Sequence, residues 1–276
     1  LYFCSKPRKL HILQEIQIMI KGTTFYGFVP IMGEPDHSAQ MVSQLLFGEE
    51  FLLLDKNGSW LSISLDFDGT EGWVSNSGVE LRNIEDGEEK GTGRAVRVAS
   101  LPLATVLDLT LGQQRIIPAG AIWNAKNRNS LSWYGHDFEL ISGEGFISPG
   151  ADASPSDIGK RIVSIPAIPG GRSGFGFDGP GLVQMLCRMM GKTIPRSCVQ
   201  QSELGSTINF MHEVEEGDLA FFDNNEDEII HVGMILKNGR ILHAAGCVSI
   251  DILDHHGIYS NEKGQYTYKL RVIKRI

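Results

Sequence analysis

The residues of this chain best suited to chemistry are two histidines and a glycine-dense turn. His231 lies in Ile230-His-Val-Gly-Met-Ile and His243 in Ile241-Leu-His-Ala-Ala-Gly, on either side of Lys237-Asn238-Gly239-Arg240. An Asn-Gly pair between apolar runs predicts a hairpin, which sets both imidazoles on adjacent strands. Imidazole is the side chain that exchanges a proton near neutral pH, so such a pair suits acid–base work. The turn reads Gly-Gly-Arg-Ser-Gly-Phe-Gly-Phe-Asp-Gly-Pro-Gly-Leu-Val from Gly170 to Val183 and runs into an apolar helix, with Leu182, Leu186, Met189 and Met190 on a shared face. Gly179 and Pro180 stand where this helix begins. Proline is favoured at the first helical position and glycine is acceptable just before it, so the helix start needs no reactive side chain.

Other groups offer weaker chemistry. Cys4, Cys187, Cys198 and Cys247 are far apart, with no Cys-x-x-Cys pair, so neither a disulfide framework nor a zinc site is expected. Cys187 reads as helix core, and Cys247 follows Gly246 at a strand edge. A metal site built from His231, His243 and Asp178 lacks tight ligand spacing, and no metal or cofactor is expected. Arg172, on the glycine-rich loop, can hold a carboxylate or form a structural salt bridge. Ser173 has no helix-start position to activate it. His255-His256 reads as a surface loop.

The elements that must hold these residues fall into segments. A chain of 276 residues exceeds one typical domain, and two or three are expected. From about Thr23 to Arg82, short alternating runs are broken by Asn57-Gly58 and Asp68-Gly69, which predicts a small antiparallel barrel. Residues 83–92 are a polar, acidic connector. A second β-rich segment, about Arg94 to Ile147, carries Val96, Val106, Leu109, Ile116, Ile117, Phe138, Leu140 and Ile141 as apolar strand residues, with turns at Pro118-Ala119-Gly120 and Asn127 to Ser130. After a Pro/Ser/Gly linker from Ser148 to Ser156, short helices over Asp157–Ser164 and Leu182–Met190 precede strands at Glu216–Phe222, Ile229–Leu236, Arg240–Ala244 and Tyr268–Ile273. Helices followed by antiparallel strands make an α+β layout. The net charge of −8 argues against a nucleic-acid surface. The longest apolar runs fall far short of a membrane span. No charged-then-apolar leader is visible, so the compartment must be inferred from function.

Four motifs in order give the chain a resemblance to the NlpC-type cell-wall cysteine peptidases, a papain-like family: Gly170–Val183, Gly217-Asp-Leu-Ala-Phe-Phe222, and the segments around His231 and His243. It covers roughly residues 157–276. In that family the turn ends Asp-Cys-Ser-Gly-Leu-Val, so Gly179 stands where the nucleophilic cysteine would be and Pro180 where the serine would follow. The resemblance implies that His231 is the base and His243 its orienting partner, and that Asp178, Arg172 and Ser173 border a peptide-binding cleft. Met41–Phe51, Gly58-Ser-Trp-Leu and Glu71-Gly-Trp-Val resemble a bacterial SH3-like domain, in which at least one of Trp60 and Trp73 is expected as barrel core rather than as a ligand platform. Such domains often put a substrate-facing tyrosine where Thr70 stands. Where the family commonly has Pro-Tyr-Leu-Trp, this chain has Pro166-Ala-Ile-Pro169.

The resemblance therefore implies an N-terminal segment (1–22), two SH3-like barrels (23–86 and 87–148) and an NlpC-type papain-like domain (149–276). Active relatives cleave peptidoglycan stem peptides outside the cytoplasm. Without the thiol, the expected function is binding of a stem peptide or another envelope partner without cleavage. Two alternatives stay open: a peptidase with a displaced nucleophile, Cys198, whose segment approaches the site in the family, and a purely structural interaction module.

Overall fold

The computed structural model describes residues 19–84, 95–99, 102–125, 129–142, 146–150 and 154–276. Cys4, the N-terminal segment up to residue 18, the connector from residue 85 and the turn residue Asn127 lie outside them.

Alternation builds the first barrel. Strands Met19–Thr23, Phe28–Met32, Met41–Leu46, Glu50–Asn57, Trp60–Leu65, Glu71–Ser75 and Glu80–Ile84 form one antiparallel sheet, which starts earlier than residue 23. Asn57 pairs with Trp60 across a turn in which Gly58 has φ 60°, a left-handed conformation natural to glycine. Along Trp60–Leu65 every second residue is buried, and Leu61, Ile63 and Leu65 join Ile31, Leu45, Phe51 and Val74 in the core. Trp60 and Trp73 are half-buried rather than core. Each precedes an inward residue, Leu61 or Val74, and the period of two turns it to the other face.

The second segment forms two small sheets, of strands Leu103–Asp108, Gln113–Pro118, Ser130–Trp133 and His136–Ser142, and of Ala95–Ala99, Ile122–Ala125 and Phe146–Ile147. Val106, Ile117 and Phe138 are fully buried around Trp123, together with Phe25 and Phe47 of the first barrel. The expected strand residues Leu109, Ile116 and Ile141 are half exposed. Ile116 alternates against Ile117, and Leu109 lies beyond the strand, in the turn that follows Asp108.

The C-terminal domain is mostly β, with three short α-helices among its described residues: α1 (Pro155–Ile162), α2 (Gly179–Met189) and α3 (Cys198–Ser202). Strands Leu219–Asp223, Ile229–Leu236, Arg240–Ala245, Cys247–Leu253, Gly257–Ser260 and Gln265–Arg275 pair in succession. The last also pairs with the first, closing a six-stranded ring. Its outer face, with Leu219, Phe221, Val232, Met234 and Leu242, packs on α1 and α2, whose Ile158, Ile162, Leu182, Val183 and Leu186 complete the main core.

The first barrel grips the part of this domain that carries the glycine-rich turn. Glu49 is 1% exposed and ion-pairs with Arg172, from the turn, and with Arg188, from α2. Its Oε2 also accepts the Leu46 N–H at 2.8 Å. Arg172 donates from its backbone N to Gln44 Oε1 (3.1 Å) and from Nε to the Gln44 carbonyl (2.9 Å), while the Arg188 guanidinium lies over the Phe67 ring at 3.9 Å. Gln184 of α2 donates to Asp68 Oδ2 at 2.7 Å.

Candidate active site

Asp178 starts α2. Its backbone is extended, and its Oδ1 accepts the Gly181 N–H at 2.7 Å, satisfying one of the donors a helix start leaves unpaired. Gly179 is thus the first helical residue and Pro180 the second, one position further in than the sequence pattern suggests. The helix tolerates the shift because a first-turn N–H has no intrahelical partner to lose. Oδ2 of Asp178 accepts from the Gly170 N–H (2.9 Å) and from Arg196 (2.6 Å), so one carboxylate clasps the glycine turn, the helix and the following loop. Gly170 has φ 78°, and a Cβ there would stand 2.2 Å from the Met41 carbonyl oxygen, so only glycine fits where the turn passes Met41 of the barrel. Asp178→Ala is expected to cost about 2 kcal/mol, from the lost cap and the lost charged bond. Urea unfolding measures it, and Asp178→Asn, which keeps a capping oxygen, should recover part of the loss.

The two histidines meet as the hairpin requires. Gly233 pairs with His243 across the strands, and His231 Nε2 lies 3.0 Å from His243 Nδ1. A third group extends the chain: His243 Nε2 is 3.1 Å from Asp251 Oδ2. A carboxylate only accepts, so the His243 proton sits on Nε2 and its Nδ1 must accept from the Nε2–H of His231. The remaining nitrogen, His231 Nδ1, is then an unprotonated base. It points at Gly179, where a Cβ would lie 3.1 Å from it and 3.1 Å from the Val232 carbonyl oxygen. The Tyr268 ring stacks on His231 with centroids 4.1 Å apart, fixing the plane of the imidazole.

Burial keeps both rings neutral. The pKa of His231 falls from an ordinary 6.5 to about 3, through desolvation first and the neighbouring His243 second. Burial also lowers that of His243, against the opposing pull of Asp251. For a histidine whose folded pKa is depressed, the stabilisation is complete above the unfolded value near 6.5 and is lost as pH falls towards about 3. His231 alone should remove about 2 kcal/mol of stability between pH 7.5 and pH 5. Urea midpoints at the two pH values measure this, and His231→Gln should flatten the difference.

The other expected site residues scatter. Arg172 is 3% exposed and its guanidinium is enclosed by Glu49 and Gln44, so it ties two domains together and presents no free charge to a ligand. Ser173 is fully buried, its Oγ accepting from the Phe175 N–H at 3.4 Å. Cys198 is the first residue of α3. Burial raises its thiol pKa, and Sγ donates to the Ile229 carbonyl at 3.5 Å. Thr70 sits in a barrel turn, where its N–H bonds to Asp68 Oδ1 at 2.9 Å and Asp68 in turn reaches α2 through Gln184. Asp251 and Tyr268 were not legible as site residues. The one signal for Asp251 is the period of two along Cys247–Leu253, which gives it the same face as Ser249, the cross-strand partner of His243. Among the described residues no cluster of histidine, cysteine and carboxylate could hold a metal ion. No helix there is long and apolar enough to cross a membrane.

This turn, helix start and histidine pair belong to a known fold. Residues 169–267 match the NlpC/P60 family and residues 31–79 the bacterial dipeptidyl-peptidase Sh3 domain, so the chain carries an NlpC/P60 domain preceded by a bacterial SH3 domain. Among named relatives it is similar to a γ-D-glutamyl-L-lysine dipeptidyl-peptidase of Bacillus cereus, 24% identical over 74% of this chain and 67% of the relative. The enzyme of the same name from Bacillus subtilis is 27% identical over 73% of this chain and 71% of the relative. In fold it is similar to an NlpC/P60 family protein from Bacillus cereus (TM-score 0.76, 18% identity, 92% of this chain and 99% of the other). It also resembles an NlpC/P60 endopeptidase from Photobacterium damselae subsp. piscicida (TM-score 0.66, 14% identity, 91% and 70%).

Proposed function

We propose that this chain is a catalytically degenerate, papain-like cell-wall peptidase homologue that binds peptidoglycan stem peptides outside the cytoplasm without cleaving them. One observation carries the reading: His231 Nδ1, the free base of the His231–His243–Asp251 chain, faces Gly179, a residue with no proton to give and no atom to attack a carbonyl. Covalent peptidase chemistry needs a nucleophile within hydrogen-bond reach of its base. Pro180 adds to this by removing one N–H from the first turn of α2, where an oxyanion would be held. The dipeptidyl-peptidase relatives support a γ-D-glutamyl stem peptide as the ligand. The second segment, with Trp123 at its centre, is read as a further SH3-like barrel, outside the matched residues 31–79.

A displaced nucleophile is disfavoured. Burial holds the Cys198 thiol above its ordinary pKa, the opposite of what a reactive thiolate requires. A purely structural role is separated by calorimetric titration with L-Ala-γ-D-Glu-diaminopimelate. Saturable heat without release of dipeptide is expected, and a featureless titration would overturn the binding reading.

A further inference from the structure

The six-stranded ring of the C-terminal domain is apolar in one half and polar in the other. Ala220, Phe222, Ile235, Ile241, Leu253 and Ile258 fill one half. In register with them on the same inward face are His231, His243, Ser249, Asp251 and Tyr268. A ring this small is normally filled by side chains throughout. Here the polar half opens instead into a cavity of about 1030 Å³, whose wall includes His243, Asp251, Tyr268, Cys247 and, from the tip of the Gly257–Gln265 hairpin, Lys263. Gly179 and His231 do not line it. The mouths of β-barrels are frequent sites for small ligands, and the volume is ample for one.

The charges in this cavity are of two signs and incompletely paired. Asp251 uses only Oδ2, on His243, and Oδ1 has no hydrogen-bond partner among the described residues. Lys263 forms no ion pair among the described residues, yet its ammonium acts on His243, lowering the proton affinity that Asp251 raises. Two carboxylates, Asp251 and Glu262, and the Lys263 ammonium thus line one open space, with Asp251 on the ring's inward face and the other two at the hairpin tip. We propose that the polar half of the ring is a binding site for a zwitterionic amino-acid residue, free or at the end of a short peptide, with its ammonium group on Asp251 and its carboxylate on Lys263. The site does not depend on whether the chain cleaves peptides.

Cys247 supplies the probe, because its half-buried thiol lines the cavity, whereas Cys187 is buried and Cys198 does not line it. Iodoacetamide labelling of Cys247, followed by peptide mass mapping, should slow about tenfold when L-lysine or L-Ala-γ-D-Glu-L-Lys is present at ten times its Kd. Cadaverine, which lacks the carboxylate, and hexanoate, which lacks the ammonium groups, should give no protection. Lys263→Ala, on an exposed hairpin tip where folding is not at stake, and Asp251→Asn should each raise the protecting concentration about tenfold. Unchanged labelling with both zwitterionic ligands, equal protection by hexanoate or cadaverine, or indifference to both variants would overturn the proposal. If the tripeptide gives saturable heat but leaves Cys247 labelling unchanged, this site is wrong while the stem-peptide reading stands.

Discussion

Incubated with L-Ala-γ-D-Glu-diaminopimelate, the protein is expected to release dipeptide about a millionfold more slowly than an intact enzyme of its family, the scale on which removal of a peptidase nucleophile acts. Chromatography of the products measures it, and turnover within an order of magnitude of an active relative would refute the reading of Gly179. The more informative variant is Gly179→Cys. It returns a thiol at the first residue of α2, beside an unprotonated His231 Nδ1. The new Cβ would nevertheless lie 3.1 Å from that nitrogen, so the imidazole must give way. It is held by the stacked Tyr268 ring on its face and by His243 at its far nitrogen. Misplacement of reacting groups by about an ångström costs on the order of a hundredfold. Gly179→Cys should therefore regain about four of the six lost powers of ten. Full recovery would mean that the ring yields freely, and no recovery that the oxyanion site is lost with Pro180.

Glu49→Gln should destabilise the protein by about 3–5 kcal/mol, because it leaves two guanidinium groups, Arg172 and Arg188, buried without a counter-charge. Guanidinium unfolding of the variant against the parent measures this. Raising salt should rescue little, since ions screen a pair only where water reaches it, and Glu49 is 1% exposed. The effect should extend beyond stability. Arg172 belongs to the glycine turn and Arg188 to α2, the two elements joined at Asp178, so loosening Glu49 should also weaken the stem-peptide heat. A cost below about 1 kcal/mol would show that the three groups are reached by water and paired no more strongly than surface ions.

Local pattern carried a large part of this architecture. Asn57-Gly58 and Asn238-Gly239 mark hairpins because a tight two- or three-residue turn needs a positive φ, and both glycines have one, at 60° and 64°. The second of these turns brings His231 to His243 by pairing Gly233 with His243, so the histidine contact was latent in chain spacing alone. The start of α2 was legible to within one residue, and Pro180 and Gly179 were its markers. At least one of Trp60 and Trp73 is expected in the barrel core, yet both lie half-buried on the other face, because the parity of the strand, set by Leu61 and Val74, decides the face.

The amino-acid sequence by itself determined that no thiol begins α2 and that two imidazoles share a hairpin, since both follow from residue identity and local backbone preference. Only the tertiary structure decided what those groups face. Asp251 reaches His243 from the next strand of the ring, and Tyr268 crosses from the last strand to cover His231. Arg172, on the glycine turn, is claimed by Glu49, 123 positions earlier in the chain. Such partners are selected by strand order, ring closure and the docking of one domain on another. Those depend on burying apolar faces across long separations in sequence, which no short window of residues encodes.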